Sequence, residues 1–87
     1  MTSEQVLADM DRQNLRPATA WELFTLGAQR HNLPQKGIAI IALGTVVQVL
    51  GVRYVSGLHH IDSGRSLDLD WFDYEWYEGY RFAAVRR

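Results

Sequence analysis

The chain contains no cysteine, which excludes disulfides, thiolate metal sites and cysteine nucleophiles. Its seven glycines are scattered and form none of the phosphate-binding glycine loops. No apolar run reaches the ~20 residues that a membrane-spanning helix needs. Nine basic residues stand against ten acidic ones, and this balance disfavours a generic nucleic-acid binder. Residues 1–4 lack the basic and apolar regions of a signal peptide, so we expect a cytoplasmic protein.

The composition that remains is typical of a small folded domain. Hydrophobic residues make up 47% and charged residues 22% of the chain, the balance of a globular protein rather than a disordered one. A length of 87 residues suits one domain but not two. We therefore expect a single domain over 1–87, helical over 3–32 and built of strands over 37–87.

Two capping signals predict two helices. Ser3 can cap a first helix that ends near Asn14. Thr19 followed three residues later by Glu22, just before an apolar run, is a capping box and predicts a second helix that ends near His31.

The second half of the chain predicts four strands, over 38–50, 52–60, 67–71 and 80–85. The first contains Gly44, which we interpret as a bulge. Short turns between strands favour antiparallel pairing. The predicted fold class is α+β, with two N-terminal helices packed on one face of a four-stranded antiparallel β-meander that can curl toward a small barrel.

The strand over 67–71 alternates apolar and acidic residues, which predicts a half-buried strand. We expect its apolar residues in the core, namely Leu67, Leu69 and Trp71. Trp21 and Phe24 of the second helix are expected to pack on them. Asp68 and Asp70 then face water, where either can pair with Arg81 on a neighbouring strand.

The candidate binding site is an acidic aromatic segment, residues 68–80. It holds six of the ten aromatic residues, and no basic residue lies between 68 and 78. One strand face cannot bury so many rings, and exposed aromatics serve as anchors at protein interfaces. The predicted partner-binding residues are Trp76, Tyr77, Tyr74, Asp73, Glu75 and Glu78. The alternative is that these rings close a small core while the carboxylates keep the edge in water.

Neither a metal site nor a catalytic site is predicted. His59 and His60 are the best metal-ligand candidates, but neighbouring strand residues point to opposite faces. Ser63 and Ser66 suit turns, and no nucleophile motif surrounds them. We expect no cofactor and no enzymatic activity.

The function that these patterns favour is a non-enzymatic protein-interaction module. Its partner is a basic protein or a second copy of the chain, bound through the acidic aromatic segment. The alternative is a small nucleic-acid-binding domain that uses the arginines of the sheet and of the tail: Arg53, Arg81, Arg86 and Arg87.

Overall fold

The computed structural model describes residues 1–87 and has an α+β fold of two helices and six strands. The helices are α1 (Ser3–Arg12) and α2 (Ala20–Gln29). The strands are β1 (Leu15–Pro17), β2 (Ala39–Val49), β3 (Val52–Ile61), β4 (Gly64–Trp71), β5 (Tyr80–Phe82) and β6 (Ala84–Arg86).

Both helices begin with a capping box. The Thr19–Glu22 box at the start of α2 is confirmed: the Glu22 N–H donates to Thr19 Oγ1, and the Thr19 N–H donates to the Glu22 carboxylate. The prediction that Ser3 caps α1 is wrong, because Thr2 occupies the cap and pairs with Gln5. Ser3 is instead buried in the first turn of the helix.

The main sheet is mixed, with the strand order β4-β3-β2-β5. β4, β3 and β2 form the predicted antiparallel meander, but β5 pairs parallel to β2, with Ala39 opposite Tyr80. The prediction of an all-antiparallel meander is therefore wrong at its last strand. The sheet does not close into a barrel, and β1 and β6 form a separate two-stranded sheet. Because β5 runs parallel to β2, the chain must cross over the sheet from β4 at one edge to β5 at the other. Residues 72–79 form this crossover.

The hairpin of β2 and β3 agrees with the sequence analysis. Leu50 and Gly51 form its turn, both with positive φ, as a tight turn between twisted strands requires. The register shifts between Ala42 and Val47, so the bulge predicted at Gly44 is confirmed. The Gly44 backbone lies so close to Ala18 that its N–H donates to the Ala18 carbonyl over 2.8 Å.

The two helices pack on opposite faces of this sheet rather than on one. On the first face, α1 and the crossover meet the sheet in a cluster of Val6, Met10, Ile41, Leu43, Val55, Phe72 and Trp76. On the second face, α2 packs in a cluster of Ala18, Leu23, Ile40, Ala42 and Leu58. The first half of the central strand β2, residues 39–43, is therefore buried on both sides, which explains its continuous apolar run.

A hydrogen-bonded chain fixes the crossover over the first face. The indole N–H of Trp76 donates to Ser3 Oγ over 2.9 Å, and that hydroxyl donates to the Phe72 carbonyl over 2.5 Å. The Trp76 backbone also exchanges two hydrogen bonds with Met1. The crossover and the N-terminus thus hold one another in place.

We predict that Trp76→Ala lowers the free energy of unfolding by about 3–5 kcal/mol, because it empties a core position and leaves Ser3 Oγ without its donor. The matched change Trp71→Ala, at a side chain 61% exposed, is expected to stay within about 1 kcal/mol of the unchanged protein. Urea denaturation of both variants measures the difference. Equal losses would contradict the assignment of Trp76 to the core.

A bidentate ion pair fixes the start of α2. Arg16 donates to both carboxylate oxygens of Glu22, over 2.7 and 2.8 Å. These bonds, together with the one from the Thr19 backbone, lower the pKa of Glu22 from 4.5 to about 2. Because the pKa of Glu22 is lower in the folded state, its ionised carboxylate stabilises the fold at pH values above 4.5. This stabilisation is lost as the pH falls toward about 2.

We therefore predict that Glu22→Gln has a lower melting temperature than the unchanged protein at neutral pH. The difference in melting temperature is expected to shrink as the pH falls from 4.5 to about 2. Added salt is expected to narrow the difference, because both side chains are partly exposed. Melting curves across this range test it. Glu78→Gln, at an exposed carboxylate of the crossover, is the control and is expected to show no such difference.

Candidate functional site

The structure divides the predicted acidic aromatic site between core and surface. Trp76, the main anchor of the prediction, is only 3% exposed, so the prediction that it contacts solvent is wrong. Tyr74 is half-buried against the core cluster. Tyr77 is 66% exposed, and the carboxylates of the segment are exposed as well: Asp73, Glu75 and Glu78. Tyr74, Tyr77 and Tyr80 contact one another, with ring centroids 5.9, 5.8 and 5.5 Å apart.

The exposed groups of this segment mostly contact one another or nearby charges. Tyr77 packs edge-on against Tyr80, and the hydrogen bond with Tyr74 raises the pKa of Tyr77 above its ordinary value. Asp73 forms an ion pair with Arg53, whose guanidinium also stacks on the Phe72 ring. Charge that is already paired within the chain attracts a basic partner less strongly.

Exposed apolar side chains also lie elsewhere, on the second face of the sheet and on α2. We name this group the α2–β4 apolar surface and define it by five exposed side chains: Trp21, Phe24, Leu67, Leu69 and Trp71. All five were expected in the core, and that prediction is wrong. Trp21 is 73% and Trp71 61% exposed. Trp21 and Phe24 stack on each other with centroids 5.8 Å apart.

The width of α2 explains this exposure. A helix is about 10 Å across and strands are about 4.8 Å apart, so one helix covers about two strands. α2 lies over β2 and β3, where an added Cβ on Gly27 would come within 3.1 Å of Leu58 Cδ2. β4 lies beyond that contact at the edge of the sheet. Its apolar residues share the face that carries α2, but no element covers them.

A groove separates α2 from β4. It has a volume of about 480 Å³, and Phe24 and Leu67 form its opposite walls. Arg65 lies at one end, where its guanidinium donates to the carbonyls of Gly27 and Leu33 over 2.7 and 3.0 Å. The one charge in the groove is therefore already engaged by backbone oxygens.

The surface is large for a chain of this size. Together the five side chains expose roughly 600 Å² to solvent, because a whole aromatic side chain has an area of about 150–250 Å². The largest apolar patch of a typical monomer covers about 300–600 Å² and is often functional. A stable complex buries about 800 Å² on each partner. The surface thus approaches the size of one side of a protein interface.

The first face carries a partly buried pair of titratable groups, His59 and Asp70. His59 Nε2 lies 2.8 Å from Asp70 Oδ2, so Asp70 pairs with His59. The predicted pairing of Asp70 with Arg81 is wrong. Arg81 lies on β5 at the opposite edge and donates to the Tyr80 carbonyl. His60 points to the other face, as strand alternation requires.

This pair has the hydrogen bond of a catalytic dyad but lacks a nucleophile. Ser66 lies opposite His59 in the sheet, yet its hydroxyl donates to Asp68 over 2.7 Å. No group of three or more histidine or acidic side chains is arranged to hold a metal ion. The arrangement can orient an imidazole, but it supplies no reacting group.

The arginines proposed for nucleic-acid binding are dispersed and partly neutralised. Arg53 is paired with Asp73, and Arg87 with Asp11. Arg86 lies in β6, which pairs with β1, so the C-terminus forms part of a sheet rather than a free basic tail. Arg81 and Arg53 lie on different strands, separated by β2. No continuous basic stripe results.

We predict that Gly57→Ala destabilises the protein by about 1–3 kcal/mol through overpacking. The His59–Asp70 pair spans the space above Gly57, where an added Cβ would collide with the Asp70 carboxylate and approach His59 Nε2 to 2.9 Å. In an Asp70→Ser background the same change is expected to cost less. Urea denaturation of this double-mutant cycle measures the coupling, and additive losses would contradict the close approach.

Comparison with protein-family models, curated proteins and solved structures finds no match for this chain. Neither helix has the length and apolar composition that crossing a membrane would require.

Proposed function

We propose that this protein is a non-enzymatic protein-interaction domain that binds its partner through the α2–β4 apolar surface. The observation that carries the proposal is the exposure of two tryptophans on the second-face side of the molecule, Trp21 on α2 and Trp71 on β4. Tryptophan is enriched among the residues that dominate binding energy. An exposed tryptophan also lacks the favourable free energy that burial of its apolar surface would provide.

The geometry supports an apolar partner rather than a basic one. The surface contains no carboxylate, and the guanidinium of Arg65 at its end is held by the backbone. Asp73, Glu75 and Glu78 belong to the crossover, which packs on the other face. Binding of a basic protein by these carboxylates and Tyr77 stays a prediction, as does a cytoplasmic location.

Nucleic-acid binding is the second candidate, and the charge arrangement favours it less. Duplex and single-strand binding both draw on several unpaired cations along one groove. Arg53 and Arg87 instead face carboxylates of this chain. Exposed aromatics could stack on bases, but no cluster of free cations lies beside Trp21 or Trp71.

Photo-cross-linking in the native cell tests the proposal. p-Benzoylphenylalanine replaces Trp71 in one variant and Tyr77 in the other, two exposed aromatics on opposite faces. We expect a protein adduct at position 71 at least tenfold stronger than at position 77. Nucleic-acid adducts, or equal protein adducts at both positions, would overturn the assignment.

We further predict that Trp71→Ala weakens binding of the captured protein by about 2 kcal/mol, or about 30-fold. The side chain is exposed, so its removal is expected to leave the fold intact. Titration calorimetry gives the affinity, and circular dichroism checks the fold. Tyr77→Ala is the matched control and is expected to bind as the unchanged protein does. An affinity unaffected by Trp71→Ala would contradict the role of this surface.

A further inference from the structure

The edge of the sheet beside the α2–β4 apolar surface is open. β4 is last in the order β4-β3-β2-β5 and pairs only with β3 over Gly64–Trp71. At the other edge, β5 is only three residues long. Native proteins protect long edges with proline, bulges or charged side chains. β4 has no proline and no register shift against β3, and of its three charged residues Arg65 is held by the Gly27 carbonyl and Asp70 by His59. This unpaired edge of eight residues is a template for another strand.

The hydrogen-bonding direction of β4 can be read from its end. The Phe72 N–H donates to the Arg53 carbonyl over 3.0 Å, in register with the β3–β4 ladder. Bonding residues alternate along an antiparallel strand, so the even-numbered residues of β4 face β3. The odd-numbered residues present their N–H and C=O groups to the open edge: Arg65, Leu67, Leu69 and Trp71. The residues with apolar side chains are thus also those with unpaired backbone.

A second β4 strand fits this edge in one antiparallel register without charge conflict. A two-fold axis at Asp68 would place two copies of that carboxylate side by side, and an axis at Leu69 would oppose Asp68 to Asp70. An axis at Leu67 places Asp68 opposite Ser66, and Asp70 opposite Gly64. Like charges directly opposite one another destabilise a sheet, whereas a hydroxyl can donate to a carboxylate.

The same register brings apolar groups together on the second face. Leu67 lies beside its own copy, and Leu69 lies over the stem of the partner's Arg65, whose guanidinium is held by Gly27. The two α2 helices then flank the paired β4 strands, each with its groove open toward them. Pairing of the edges buries the flanks of Leu67 and Leu69 against the partner strand and adds backbone hydrogen bonds along it.

From this edge and this register, we propose that the partner at the α2–β4 apolar surface is a second copy of this chain. The two β4 strands pair antiparallel around a two-fold axis at Leu67, and the two four-stranded sheets become one. This inference rests on the proposed function, since it uses the same surface and specifies what occupies it.

Sedimentation equilibrium tests the assembly. The chain has a mass of 10.0 kDa, so we expect a species of twice that mass at micromolar concentration. Leu67→Lys places a charge on the axis and is expected to raise the dissociation constant at least tenfold. Leu50→Lys, at a hairpin residue 98% exposed, makes the same chemical change away from the edge and is expected to have no effect. A monomeric unchanged protein would overturn the inference.

Single cysteines test the register, and the absence of native cysteine makes them unambiguous. Leu67→Cys places two thiols on directly opposite residues, with Cα atoms about 5.5 Å apart. Leu69→Cys places them about 15 Å apart, because four residues at about 3.4 Å each separate the two copies. A short bis-methanethiosulfonate cross-linker should therefore join Leu67→Cys at least tenfold more than Leu69→Cys. Preferential joining of Leu69→Cys would overturn the register.

The cell-based cross-link at position 71 separates the two proposals. An adduct of twice the chain mass supports the second copy. An adduct with a different protein, together with a monomeric purified chain, overturns the second copy while the interaction domain stands. Absence of any protein adduct overturns both.

Discussion

The structure depends on the contact between Trp76 and Ser3. The indole is buried, and its N–H reaches the Ser3 hydroxyl, which in turn donates to the Phe72 carbonyl. These hydrogen bonds tie the start and the middle of the crossover to the first turn of α1. Because a buried polar group without a partner costs about 1–3 kcal/mol, the three groups hold one another in a single arrangement.

The position of the α2–β4 apolar surface follows from that arrangement. The crossover and α1 occupy the first face of the sheet, and this leaves α2 alone on the second. One helix cannot cover four strands, so the edge strand β4 keeps Leu67, Leu69 and Trp71 in water. The exposed apolar side chains of β4 therefore lie beside the open edge of the sheet. A partner at this edge can bury those side chains and form backbone hydrogen bonds with β4 at the same time.

Features governed by near neighbours were predictable from the sequence. The capping box of Thr19 and Glu22, the bulge at Gly44 and the turn at Gly51 each depend on groups within a few residues of one another. The alternation in β4 also correctly indicated which of its residues share a face. For the candidate site, the sequence identified an excess of aromatic rings but not which of them reach the surface.

By itself, then, the sequence determined the α+β class, the capping box of α2, the first three strands of the sheet and the absence of thiol chemistry. Tertiary structure alone decided that Trp76 is core and Trp71 is surface. Periodicity states which residues lie on one face, but a face is buried only if another element lies over it. The parallel pairing of β5 with β2 carried the crossover onto one face, and the width of α2 left the β4 edge of the other face uncovered.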